Sequence, residues 1–199
     1  KGVGRGTCSI ADNVFRSKGA YAVFGHPEWK NYSFSFKARA PKNAEQVQIW
    51  ASFRNYNRFD RYVVGIKGGL QDDLYLMRTG YMGTDESRPL GFHPVPGEWY
   101  RVKVEVCGNR IRIFLNDEKQ PHIDLVDKNA DLVPSGEVAL GGGWIETEFD
   151  DLTVTPMADN ALKNVKVAEY QKKATPAEKE NKRRQERASY TSAKLAALT

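Results

Sequence analysis

At 199 residues the chain suits one domain of about 150 residues plus an appendage, a size that buries roughly two-thirds of its unfolded surface and needs no disulfide staples. Its 30 Lys and Arg against 25 Asp and Glu are unevenly placed: residues 157–199 carry ten bases against five acids, which leaves residues 1–156 neutral. A neutral body excludes the clustered basic face that nucleic acid requires, and no apolar run is long enough to span a membrane.

The chain begins at Lys1, so it reads as a processed product or a piece of a longer polypeptide, with any targeting signal lying outside it. Gly2-Val3-Gly4-Arg5-Gly6 carries only part of a dinucleotide-binding glycine pattern and opens no helix, and it reads as a flexible terminus. Segments rich in Val, Ile, Phe and Tyr then recur between turn signals, at about 20–24, 32–39, 46–53, 61–67, 74–78, 99–106, 110–116, 122–126, 136–141 and 147–154. Short, evenly spaced strands without helical periodicity predict an all-β antiparallel sandwich or jelly roll. The clearest pair is 99–106 with 110–116. Tyr100, Val102, Val104 and Val106 alternate with Arg101, Lys103 and Glu105, Gly108-Asn109 turns the chain, and Ile111, Ile113 and Leu115 resume the alternation.

In the last segment Phe149 has opposite parity to Leu152 and Val154, so all three can face the core only through a bulge near Asp150-Asp151. Composition changes after Pro156, which divides the chain into a sandwich over 1–156 and a basic connector over 157–199. Within the connector, Thr175-Pro176-Ala177-Glu178 reads as a capped helix start, and a helix is expected at about 176–190. That helix is polar all round, so it bridges to a partner rather than building a core. Lys163–Tyr170, with Val165 and Val167, is a candidate to pack back on the sandwich. Cys8 and Cys107 leave two options open, one disulfide or two thiols.

The wording of the 97–116 hairpin, together with Trp29–Ala40, Phe53–Gly69, Asp73–Arg78 and Gly136–Val154 in that order, resembles concanavalin-like (laminin-G-like) lectin and glucanase sandwiches. It is similar to the sandwich domains appended to bacterial glycoside hydrolases, and Ala177–Tyr190 is similar to the charged connectors of family 2 enzymes. The resemblance implies a non-catalytic, extracytoplasmic carbohydrate-binding or accessory module. It would bind a glycan or polysaccharide, require no cofactor, and be linked through its connector to the remaining domains of a glycoside hydrolase. A purely structural domain packed on its parent enzyme is the alternative.

Sugar sites pair aromatic faces with planar polar groups. Trp50 lies opposite Ile49 and Phe53 on its strand and shares a face with Gln48, Ser52 and Arg54, while Asn57, Arg61, Tyr75 and Arg78 come from the following segments and are candidates for the same face. Trp144, after three glycines, is the other aromatic candidate. Trp29 and Trp99, at strand starts, read as structural.

Glu146 and Glu148 resemble the acidic strand of family 16 glucanases, which raises a third reading, a small glycosidase. Glu148 stands where that pattern has Asp, which counts against it. Asp150, Asp151, Asp12 and Asp127 are the carboxylates available for the structural calcium that resembling sandwiches often hold.

Overall fold

A computed structural model describes residues 2–56, 59–69, 71–79, 85–128 and 130–163. The connector from 164 onward, its expected helix and Asn57 lie outside the described residues. Twelve strands follow in chain order: β1 Gly2–Ala11, β2 Val14–Phe24, β3 Tyr32–Arg39, β4 Gln48–Asn55, β5 Tyr62–Lys67, β6 Asp73–Arg78, β7 Asp85–Pro89, β8 Tyr100–Cys107, β9 Arg110–Leu115, β10 Ile123–Val126, β11 Glu137–Gly141 and β12 Thr147–Pro156. Every pairing is antiparallel, in the order β10-β9-β8-β3-β12-β2-β11-β4-β5-β6-β7, with β1 on β2.

This ladder folds into a sandwich because β2 serves both halves. Its first part pairs with β12 through Phe15–Ser17, and its second part pairs with β11 through Tyr21–Phe24. Gly19, at φ 64°, lies between the two parts, a conformation an L side chain resists. The two halves then face each other across one core. Phe34 of β3 meets Phe53 of β4 across it with ring centroids 5.8 Å apart, and Phe36 packs beside Phe149 of the neighbouring β12 at 5.9 Å. The outer ends close as well, since His122 Nε2, just before β10, lies 3.0 Å from the Pro89 carbonyl of β7.

The expected alternation holds in β3 and β8, where Phe34, Phe36, Ala38, Val102 and Val104 are fully buried. The expected bulge is present. Register slips between Asp150 and Thr153, and Asp151 takes φ 53°, so Phe149 enters the core while Leu152 and Val154 pack on its margin.

Three strand segments were not foreseen. The glycine-rich start forms β1 rather than a flexible terminus, joined to β2 by a two-residue turn in which Asp12 and Asn13 have φ 53° and 61°. This is the Asx-rich geometry of a tight hairpin. The first half of β2, polar and broken by Gly19, and the whole of β7, polar and ending in proline, show no period-2 signal.

Cys8 and Cys107 are separate free thiols, and the buried Cys107 Sγ contacts the Ala158 and Asp159 carbonyls 3.4 and 3.3 Å away. The chain beyond β12 stays attached as far as it is described. Leu162 is buried, and its carbonyl accepts a 3.0 Å bond from Arg110 Nη1.

Candidate functional site

The inward-facing side chains of β4, β5 and β6 (Ile49, Ala51, Val64, Ile66, Leu74 and Leu76) fill the core, so the alternate positions form an outward face. Register sets Trp50 opposite Gly65, Gly65 opposite Tyr75, and Tyr75 opposite Ser87. Gly65 makes this arrangement possible. A Cβ there would stand 2.4 Å from the Tyr75 ring, so the tyrosine lies in the trough the glycine leaves. Trp50 meets Tyr75 edge-on, centroids 6.2 Å apart and planes at 78°, and stays half-buried. The Tyr75 hydroxyl is shut from solvent without a hydrogen-bond partner among the described residues, and burial pushes its pKa far above the ordinary tyrosine value. An unpaired buried hydroxyl costs about 1–3 kcal/mol.

Further along the same face, Arg61 Nη1 donates a 3.3 Å bond to the Tyr21 hydroxyl, and its guanidinium stands 5.1 Å from that ring. They come from β2 and from just before β5, strands that flank β11 and β4, whose Ala139 and Ser52 are paired in register and buried. Tyr21 carried no sequence signal, because it belongs to a strand whose outward face only the sandwich geometry reveals.

The corner between β11 and β12 holds Trp144, whose side chain is 75% exposed. Gly141 and Gly142 turn the backbone at φ 100° and 108°, and a Cβ at Gly142 would lie 3.9 Å from Trp50 and 4.0 Å from Tyr21. Gln48, which the sequence placed beside Trp50, acts here instead. Its Oε1 accepts from the Trp144 N–H at 3.0 Å, and the Gly143 carbonyl accepts from the Gly19 N–H at 2.7 Å. The exposed ring therefore stands on a clamped loop beside the Trp50 face.

Two of the expected hydrogen-bonding groups are elsewhere. Arg54 is buried (2% exposed), because β4 bulges there at φ 46° and turns the side chain inward. Its Nη2 and Nε donate to the Lys30 carbonyl at 2.8 and 3.1 Å, and its backbone N–H donates to the Tyr32 hydroxyl at 2.8 Å. Arg78 shares the parity of Leu74 and Leu76 and therefore points into the core. There it ion-pairs with Asp127 at 3.2 Å, each side chain 2% exposed, and Asp127 also accepts from the Tyr62 hydroxyl at 2.7 Å. Of the expected face, Trp50, Tyr75 and Arg61 stand on it and Trp144 borders it.

The acidic residues do not assemble. Glu146 is exposed in the corner loop, whereas Glu148 is buried in β12 with Arg16 Nε at 2.9 Å on one oxygen and Arg39 Nε at 2.6 Å on the other. Both Glu148 oxygens are engaged, so it is neither a free nucleophile nor a proton donor. Burial raises its pKa, but the hydrogen bonds and charges of Arg39 and Arg16 outweigh burial and hold it below the usual carboxylate range. A carboxylate held low contributes stability that is complete above its unfolded pKa and is lost as pH falls through the folded value. Wild-type stability should therefore decline on acidification below about pH 4–5, and Glu148→Gln should be less stable at neutral pH with a shallower acid dependence. Urea midpoints from pH 3 to 7 check both; parallel curves would remove this role.

Of the proposed calcium ligands, Asp127 is committed to Arg78, Asp151 lies 2.7 Å from Lys37 Nζ with Asp150 at 3.9 Å from it, and Asp12 sits 3.7 Å from Arg16. They do not form one cluster, and no group of three or more His, Cys, Asp or Glu side chains suited to a metal occurs among the described residues.

The opposite outer face, on β8 and β9, carries a shallow cleft around Phe114. Its charges are largely engaged with one another: Lys103 and Arg112 reach Glu105 at 2.7 and 3.1 Å, and Arg101 reaches Asp117 at 3.3 Å. Tyr56 (53% exposed) and Phe59 (70% exposed), just after β4, are exposed aromatics that sequence reasoning passed over because their loop has no periodicity. Trp29 packs on Tyr32 at 6.0 Å and Trp99 lies under the Arg39 guanidinium at 4.5 Å, consistent with structural roles.

The fold is thus a concanavalin-like antiparallel sandwich. Residues 2–155 match the 3-keto-alpha-glucoside-1,2-lyase-like domain family, and the chain belongs to it. Among solved structures it is similar to the carbohydrate-binding module CBM66 from Bacillus subtilis (TM-score 0.62, 16% identity, 75% of this chain and 91% of that one). It is also similar to sheep galectin-11 solved with glycerol (0.51, 12%, 69% and 98%) and to a tetrameric galectin from the sponge Cinachyrella (0.50, 17%, 67% and 98%). A search among curated proteins found no match. No helix among the described residues is long and apolar enough to cross a membrane.

Proposed function

We propose that this domain binds a glycan on the outward face of β4–β6, as a module of a larger extracytoplasmic polypeptide that acts on sugars. The observation that carries the reading is the Trp50–Tyr75 pair: two rings set at 78° on a sheet face, with no side chain between them at Gly65. Such a corner presents one apolar ring for stacking on a pyranose and a second beside its edge. Arg61 supplies planar N–H donors further along the face, and Trp144 adds an exposed ring at the border. The named chemistry of the family (3-keto-α-glucosides) and of the module from B. subtilis (carbohydrate) points in the same direction. The basic connector joins the domain to the rest of its polypeptide, a glycoside hydrolase in this reading.

The family description also favours a second reading, a lyase acting on a 3-keto-α-glucoside. Such an elimination needs a base at the carbon beside the ketone and an acid at the leaving oxygen. The acid pair read from the sequence does not supply them, since Glu148 is locked between two guanidiniums and Glu146 stands apart in the loop.

The test is a glycan array that includes α-glucosides and their 3-keto forms, followed by product analysis. Binding without turnover supports the module. Release of the aglycone sugar from a 3-keto-α-glucoside establishes the lyase, and silence in both assays leaves the domain structural.

A further inference from the structure

Packing gives no reason for a tyrosine at position 75. Its ring fills the trough over Gly65, yet its hydroxyl is buried without a partner among the described residues, so a phenylalanine would fill the same space and remove an unpaired O–H. The residue also belongs to the outward row, not to the core cluster. The ring standing against it is Trp50, half-buried on the same outward row.

We propose that the ligand supplies the missing partner. The Trp50 ring turns off Tyr75, a pyranose ring settles against the Tyr75 ring so uncovered, and the Tyr75 O–H donates to a hydroxyl or the ring oxygen of the sugar. Trp50 is then both the stacking surface and the cover that keeps the site closed when empty.

The inference rests on the glycan-binding reading and narrows it. The row Trp50, Gly65, Tyr75 and Ser87 contains no charged side chain, which favours a neutral sugar, and the family's 3-keto-α-glucoside chemistry points to an α-glucoside. A uronate would meet no counter-charge in this row.

Calorimetric titration of maltotriose into the wild type, Tyr75→Phe and Trp50→Ala, with a thermal melt of each, tests this. Tyr75→Phe should melt at or above the wild-type temperature and bind roughly tenfold more weakly. The isosteric change keeps the ring in place, so weaker binding cannot be ascribed to lost fold. Wild-type affinity in Tyr75→Phe, with binding lost in Trp50→Ala, overturns this inference alone and leaves the site where it is. A wild type that does not bind maltotriose overturns it together with its α-glucoside assignment. Affinity unchanged in both variants refutes the face itself.

Discussion

Asp127→Ala should destabilise the sandwich by about 3–5 kcal/mol, because it strands a buried cation and leaves the Tyr62 hydroxyl without its acceptor. For a domain of this size that corresponds to a fall in melting temperature of about 10 °C or more. The Arg78–Asp127 pair lies wholly inside the core, so solvent cannot take the place of the lost carboxylate. Arg78→Met with Asp127→Leu removes both charges together and should recover most of the loss, since an apolar pair of similar volume is often neutral relative to a buried ion pair. Urea unfolding of the single and double variants checks the argument. A single variant within 1 kcal/mol of wild type would mean that the pair is hydrated rather than buried, and a double variant no better than the single would assign the loss to packing.

The second large effect falls on binding. Trp50→Ala should weaken glycan affinity by about 2 kcal/mol, roughly thirtyfold, as expected for a central aromatic contact. The loss of stability should be small by comparison with Asp127→Ala, because Trp50 lies outside the core cluster and touches Tyr75 only by its edge. Titration and melting of the same preparation separate the two. A large drop in melting temperature with affinity retained would make Trp50 a structural residue.

Local patterning made most of the sandwich legible. Alternation identified β3, β8 and β9, and the conflict of parity around Phe149 called for the bulge that Asp151 forms. Trp50 and Tyr75 could be placed outward because their strand neighbours are plainly apolar on the other side. Arg54 was misplaced because parity counting assumes an unbroken strand, and a positive φ at a non-glycine residue leaves no mark in the sequence.

Arg78 was misplaced for a different reason. Its parity with Leu74 and Leu76 points inward, but a charged residue is expected outside unless a partner waits, and Asp127 lies far along the chain. The same limit applies to Glu148, whose two arginines arrive from β2 and β3. Strand β1 escaped notice because glycine weakens a strand signal, although the Asp12-Asn13 turn marks the hairpin.

The most direct test of the central claim is an amide and indole proton–nitrogen spectrum of the domain during titration with maltotriose. The chain has four tryptophans, so four indole N–H signals report on four separate places. The Trp50 signal should move furthest, the Trp144 signal should follow, and those of Trp29 and Trp99 should stay where they are. Movement confined to Trp99, on the charged side of the sandwich, would contradict the claim and place the sugar on the opposite sheet.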